Sequence, residues 1–513
     1  MIRENRCLLS SILDGMDVAP GVWHPQSEFH RGWYRGIFHR AHMYFEIIYA
    51  WHMAGSWFIL KGKIKKRVVA LFTLVLVLFT YRTVLAYYAA GTPGEISNLP
   101  VLELMDYKKI LVIAPHPDDE TLAAGGVIEK ALSAGDHVKV VVVTNGDGQK
   151  YSPIFLGEGV AVKPGDYVAV GMQRQMESVH ALESLGLRTE DMIFLGYPDR
   201  GTASLWLADW RSQCPYRSVY TKAEKNPYPD TYRAGEAYCG SNLLDDLQNI
   251  LDDYKPDLIL LPHPSDQHPD HGAVSNFARM AVAMTSVEHT GYAPEIWAYL
   301  VHYGMFPEPR GKHMDNFLVP PEKLLEPASH WGSVLLSPSE VSEKYNAIQE
   351  YSSQIRLLGR FLPSFARSNE LFESLPVAVL SPISFAALPA LPHLPVIKNE
   401  SGMPYAANED YLVSGNMFLG WQTIRLNNIL WLDLAVRRDI LPDEQCTLYV
   451  KLPNGETEKI KLMPTGSIFS SVGYSAQVDL TSLGNPSVLA FAAEITQGGV
   501  LVSKTGWHML VLN

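Results

Sequence analysis

Ile110-Leu111-Val112-Ile113-Ala114-Pro115-His116-Pro117-Asp118-Asp119-Glu120 is the stretch on which the reading of this chain turns. Its five leading residues are apolar and rich in β-branching, the mark of a buried strand, and imidazole and carboxylate groups follow almost at once. A second such junction comes about 150 residues later, where the apolar run Leu258–Pro262 leads to His268-Pro269-Asp270-His271. A parallel sheet gathers its strand ends along one carboxyl edge, so the two polar clusters can meet there. Two strand ends carrying His and Asp are what a mononuclear metal hydrolase requires.

The pattern between and beyond these motifs alternates. A helix over Thr121–Ser133 starts on the acidic turn, and His137–Thr144 is a buried strand. A loop runs to about Gly171, followed by a helix over Gln173–Leu185 and a strand over Met192–Leu195. After an insertion at 200–238 come a helix at Leu243–Tyr254, the strand Leu258–Pro262, a helix at Ala273–Met284 and a strand at Ile296–Val301. This predicts an α/β, Rossmann-like, mostly parallel sheet with helices on both faces. Ser337–Phe372 reads as further helix. Leu375–Val396, with Pro376, Pro382, Pro389, Pro392 and Pro395, reads as a linker. Beyond residue 400, short strand-like runs begin with Ile424–Leu434 and end with Trp507–Val511, and Pro453-Asn454-Gly455-Glu456 is a hairpin turn. They point to a small β-sandwich-like domain. The expected partition is a catalytic domain at 108–372, a Pro-rich linker at 373–400 and a β-rich domain at 401–513.

Net charge is -12 over 513 residues, which argues against nucleic-acid binding. Gly125-Gly126 lacks a GxGxxG frame, so no nucleotide cofactor is expected. Residues 68–90 are long and apolar enough for a membrane helix, with Lys61, Lys63, Lys65, Lys66 and Arg67 just before them. The positive-inside rule then puts residue 67 in the cytoplasm and makes 68–90 a signal anchor, with 1–67 a cytoplasmic or undetermined N-terminal segment. The chain would be single-pass, its catalytic domain outside the cytoplasm, or secreted if the segment is cleaved. Met43–Leu60 stays open between a second membrane helix, an interfacial segment and sequence upstream of a start at Met53. In an oxidising compartment a Cys214–Cys239 bridge would staple the insertion by roughly 3 kcal/mol, the alternative being two free thiols.

Catalytic zinc takes three protein ligands and leaves a position for water. His116 and Asp119 can face one point, and Asp118 between them can serve as a base. Either His268 or His271 supplies the third ligand, and the other meets developing negative charge. With HPDDE and HPDH, the chain resembles the PIG-L (LmbE-like) de-N-acetylases over about residues 108–380. Thr144-Asn145-Gly146-Asp147, Arg174 with Glu177, Leu185-Gly186 and Leu195-Gly196-Tyr197-Pro198-Asp199 add to the resemblance. It implies one Zn2+ per chain, or another divalent metal, held by His116, Asp119 and His271. It further implies Asp118 as general base, His268 as stabiliser of the tetrahedral intermediate, and Arg174 and Asp199 as substrate contacts. Asp270 is expected to orient a histidine from behind.

The function this implies is removal of acetyl from an N-acetylglucosamine-type glycoconjugate or glycolipid. Two alternatives are a zinc amidase on a different small conjugate and an inactive glycan-binding surface protein. The intact set of ligands and base argues against the inactive form. The long loops 147–171 and 200–238 leave the substrate open.

Overall fold

Ile110, Val112 and Ala114 face one side of strand β1 (Lys109–Ala114) and Leu111 and Ile113 the other, all five buried. A strand apolar on both faces needs a layer on each. The computed structural model describes residues 99–149, 162–325, 330–382, 396–397, 418–436, 440–441, 443–465 and 473–513. In it, helices α1 (Asp119–Ser133), α2 (Pro164–Ser184) and α6 (Pro338–Gln349) cover one face. Helices α4 (Gly240–Tyr254) and α5 (Pro269–Glu288) cover the other.

Strands β2 (His137–Thr144) and β3 (Met192–Tyr197) lie to one side of β1, and β4 (Leu258–Pro262) and β5 (Glu295–Tyr299) to the other, all parallel. Strands β7 (Asn369–Ser374) and β6 (Trp331–Leu335) extend the sheet antiparallel, giving the order β3-β2-β1-β4-β5-β7-β6. The order reverses between β1 and β4, the two strands that lead into the His/Asp motifs. A crevice opens at the carboxyl ends of such a pair.

The parallel core agrees with the pattern read from sequence, while its margins differ. Ser337–Phe372 is not all helix: α6 ends at Gln349, α7 (Ser352–Leu358) follows, and the chain then enters β7. Helix α2 begins at Pro164 rather than Gln173, because proline tolerates the first helical turn. The insertion holds a short helix, α3 (Thr202–Leu207). Cys214 and Cys239 are free thiols, the first exposed and the second buried at the start of α4.

The single-pass arrangement expected from residues 68–90, with the catalytic domain beyond a membrane, is corrected. Among the described residues no helix is long and apolar enough to cross a membrane. The longest, α2 and α5, carry Arg174, Glu177, Asp270, His271 and Arg279 among their buried residues, which fits a protein interior and not lipid. Residues 68–90 lie outside the described residues, as do Met43–Leu60.

The C-terminal strands form a second sheet system. Ile424–Leu434, read as one strand, is two: β10 (Phe418–Leu426) and β11 (Ile429–Val436) turn at Asn427, whose φ is 50°. Strands β12 (Glu444–Lys451), β13 (Thr457–Thr465), β14 (Gly473–Asp479), β15 (Val488–Gln497), β16 (Val500–Lys504) and β17 (His508–Leu512) follow. β13 pairs with β12 along its first part and with β14 along its last, so it turns the corner between two sheets. Their inner faces share one core, with Trp421 of β10 edge-on to Phe491 of β15 at 4.9 Å. Strand β8 (Ala378–Leu380), inside the Pro-rich stretch, pairs parallel with β17, and β9 (Val396–Ile397) pairs antiparallel with β10.

One buried ion pair ties the α/β layers together. Glu370 of β7 sits 2.5 Å from the Lys344 ammonium of α6 and accepts the Gly126 and Val127 amides of α1, all out of solvent. Removing its carboxylate strands a buried ammonium and two amides. Glu370→Ala should therefore cost about 3–5 kcal/mol, read as a lowered urea midpoint.

Candidate metal centre

Both motifs begin where a strand stops. After β1 the chain turns through Asp118, whose φ of 127° is costly for any residue but glycine. Three contacts hold this conformation. The Asp118 amide donates to Glu120 Oε2 at 3.1 Å, and its carboxylate accepts from Arg174 Nη2 at 3.0 Å. Its carbonyl accepts the amides of Thr121 and Leu122 in α1. Glu120 is itself buried and fixed by Ser178 at 2.5 Å and Tyr351 at 2.7 Å, so its role is to support this turn. Arg174 also donates to the carbonyls of Pro117 and Gly146, at 2.7 and 2.9 Å. Gly146 has φ 66°, and a Cβ there would lie 2.0 Å from the guanidinium, so the close approach requires glycine.

After β4, His268 caps α5, and Asp270 and His271 lie in its first turn. One oxygen of Asp119 stands 3.1 Å from both His116 Nδ1 and His271 Nε2. The other ring nitrogen of His116 lies 3.3 Å from Asp270 and 3.3 Å from Asp199. His271 Nδ1 lies 3.1 Å from Asp266. Asp270 is clamped by the Arg200 amide at 2.6 Å and by the Thr202 amide and hydroxyl at 3.1 and 2.5 Å. The sequence-read residues His116, Asp118, Asp119, His268, Asp270, His271, Arg174 and Asp199 are thus all brought to one crevice.

The electrostatics follow from burial among opposite charges. Burial opposes a charged His116, but Asp199, Asp119 and Asp270 raise it well above the usual imidazole range. In the same way burial is outweighed at His271, where Asp119 and Asp266 raise it to about 10. Asp119 is held well below the carboxylate range by His271 and His116 in spite of its burial. Burial pushes Asp118 up to about 8, with Arg174 opposing and Asp119 and Glu120 adding. His268 is lowered by burial and by His116 and His271, which keeps it neutral. Its Nδ1 accepts the Asp270 amide at 3.3 Å, so the ring proton resides on Nε2.

The donors suit a zinc-class cation. Separations of 3.1 Å match neighbouring donors around an ion with bonds of ~2.0 Å. Both His271 nitrogens are buried without an aligned hydrogen bond. Groups whose donor atoms lie within 4.8 Å of one another are His116/His268/His271, Asp119/His271/His302 and His116/Asp199/His268/Asp270. The expected trio His116, Asp119 and His271 is connected through Asp119, which stands between the two rings.

Asp266 escaped the sequence reading, whereas His302, near a strand end, reads from sequence as a structural residue and not as a ligand. Asp266 accepts the amides of His268, Val301 and His302 besides facing His271. His302 sits beyond β5, its ring 4.9 Å from that of His271. The signal for Asp266 was its place two residues before His268, on the turn leaving β4. For His302 it was a strand end on the same sheet edge.

Asp147, in the loop after β2, is buried and accepts the Tyr228 hydroxyl at 2.6 Å. Burial and the neighbouring Asp199 raise it to about 7 against the Tyr228 bond. Its folded pKa is above the unfolded value of about 3.9, so the folded chain holds more protons between the two. That contribution to stability is complete below the unfolded value and is lost as pH rises through 7. Asp147→Asn should flatten the fall in melting temperature across this window, as a pH series of thermal melts will show.

Residues 111–282 match the family model described as PIG-L, GlcNAc-PI de-N-acetylase. A 1D-myo-inositol 2-acetamido-2-deoxy-alpha-D-glucopyranoside deacetylase of Saccharomonospora viridis is 29% identical over 175 residues, 34% of this chain and 57% of the relative. The protein of the same name from Kribbella flavida is 23% identical over 286 residues, 52% of this chain and 88% of the relative. The match thus spans little more than half the length of the first relative. Among solved structures, the N,N'-diacetylchitobiose deacetylase of Pyrococcus horikoshii aligns with TM-score 0.34 and 20% identity, covering 53% of this chain and 85% of that one. Over residues 111–282 the chain is thus similar to the PIG-L (LmbE-like) deacetylase family.

Proposed function

We propose that this chain is a zinc-dependent hydrolase that removes the acetyl group from an N-acetylglucosamine-type conjugate, releasing acetate and a free amino sugar. The observation that carries the reading is one buried cluster at the β1/β4 switch. There a single Asp119 oxygen lies 3.1 Å from both His116 and His271, with Asp118 and the neutral His268 in the same crevice. The family match over residues 111–282 and the deacetylase names of the relatives support the same chemistry. In this reading residues 108–372 form the catalytic domain and 401–513 a β-rich companion, joined by 373–400.

His116, Asp119 and His271 would hold one zinc ion, or another divalent metal in its place. The ion would supply Lewis acidity toward the acetamide carbonyl and a water of lowered pKa. A cation among the donors would add to Arg174, 3.0 Å away, in offsetting the burial that raises Asp118, and the ionised carboxylate would take the proton of the attacking water. His268 directs Nε2–H toward the carbonyl oxygen as negative charge develops on it. The proton gained at Asp118 is then available to the departing nitrogen as the C–N bond breaks. Asp270 and Asp266 orient the rings of His116 and His271. Asp199, whose Oδ1 lies 3.3 Å from His116 Nε2 without an aligned hydrogen bond, is read with Arg174 as a contact for the sugar.

The test uses zinc-loaded protein and an N-acetylglucosaminyl inositol, with acetate and primary amine measured together. Asp118→Ala should lower turnover by about 10²–10⁴-fold while metal analysis still finds one zinc. Full activity in that variant removes Asp118 as the base. Loaded wild-type protein that releases neither product from any N-acetylglucosamine conjugate overturns the substrate class.

A further inference from the structure

Lys451, at the end of β12, is buried, and among the described residues no carboxylate forms an ion pair with it. Its ammonium donates to the Gly455 carbonyl at 3.2 Å and lies 4.2 Å from the Trp210 ring centroid and 5.3 Å from that of Trp206. Both tryptophans belong to the insertion of the α/β unit, whereas Lys451 and Gly455 belong to the β unit. An ammonium taken out of water needs a compensating partner, and two indole faces provide one. Gly455 sits so close to Trp210 that a Cβ would approach the ring to 2.1 Å. Trp507, just before β17, meets Trp206 edge-on at 5.6 Å, and its carbonyl accepts Arg279 of α5 at 2.9 Å. Val488, Ala490, Ala492, Met509 and Val511 continue the same apolar cluster against α5.

The elements gripped here lead to the metal centre. Trp206 lies in α3, whose first residue, Thr202, clamps Asp270 together with the Arg200 amide. Asp270 in turn faces His116 Nε2 at 3.3 Å. Trp206 and Trp210 also pack on Phe277 of α5, the helix whose first turn carries Asp270 and His271.

We propose that the C-terminal β unit is a positioning element of the metal centre, with Lys451 holding Trp206 and Trp210 so that the Arg200–Thr202 turn keeps Asp270 on His116. The proposal rests on the reading of His116 as a metal ligand, and it reaches outside the family match at 111–282. Carboxylates behind a metal-binding histidine change affinity by about 10–100-fold. Lys451, two links further back, belongs at the low end of that range.

The experiment compares Lys451→Ala and Lys451→Arg with wild type in the full chain. One measurement is Zn2+ affinity by chelator competition, and the other is hydrogen exchange at individual amides. Lys451→Ala should weaken Zn2+ about tenfold and speed exchange at the Arg200 and Thr202 amides, with β1 and β2 as protected as before. Lys451→Arg keeps a cation on the indole faces and should restore both. Thr202→Val, which removes one Asp270 contact without touching the β unit, should reproduce the zinc effect. If Lys451→Ala lowers only the melting temperature, leaving Zn2+ affinity and those amides unchanged, the proposal is overturned. If it loosens β1 and β2 equally, the role is general bracing and the proposal also fails. Wild-type protein that binds no Zn2+ defeats the metal reading instead, and the exchange data still decide whether Lys451 governs the Asp270 clamp.

Discussion

The parallel pairing of β1 with β4 is the constraint from which the rest follows. Ile110, Leu111 and Val112 stand in register with Leu258, Ile259 and Leu260. Each strand is buried on both faces, so neither can slide without exposing apolar side chains or breaking the ladder. The register therefore fixes where the chain first leaves the sheet on either side of the reversal point. Polar groups from residues about 150 apart come to one crevice because two hydrophobic runs end at the same level. Neither motif has to find the other: the core delivers both.

What gathers there is a chain of alternating charge. Asp270, His116, Asp119, His271 and Asp266 follow one another with contacts of 3.1 to 3.3 Å. Burying any one of these groups alone would be strongly unfavourable, and alternation offsets much of that cost. The outer carboxylates are tied to backbone amides, Asp270 by Arg200 and Thr202 and Asp266 by His268, Val301 and His302. The imidazoles are held from behind, while their inward nitrogens share one oxygen. Such an arrangement is rigid at its rim and electron-rich at its centre. This is the balance a cation-binding site needs, since a cation placed among the donors relieves crowding that the rim cannot relax.

Much of this was legible in the sequence, for a physical reason. Strands buried on both faces must be continuous apolar runs, so β1, β2 and β4 announced themselves, and the residues just past them were the candidates. The helix-strand margin was not legible, because β7 follows Pro363 and Phe365 with too short a period to separate from α7. The turn at Asn427 was missed because apolar residues flank it on both sides, and one polar pair, Asn427-Asn428, carries the whole reversal. Asp266 lay in plain sight between His263 and His268. Its importance depends on three amides from two separate segments, which no local pattern displays. The membrane expectation came from residues outside the described fold, where hydropathy alone had to carry the inference.

The insertion at 200–238 is one of the two long loops that leave the substrate open in the sequence. Its first turn spends its amides on Asp270, and its tryptophans lie against the β unit. A loop fixed at both ends by buried contacts is part of the scaffold at those ends, whatever its middle does. The β unit packs on α5 as well as on the insertion's tryptophans. Helix α5 starts at the His/Asp cluster and runs 20 residues away from it, so support along its length also fixes the direction of its first turn. Phe277, two turns beyond His271, is the point where the indoles of the insertion and the helix meet.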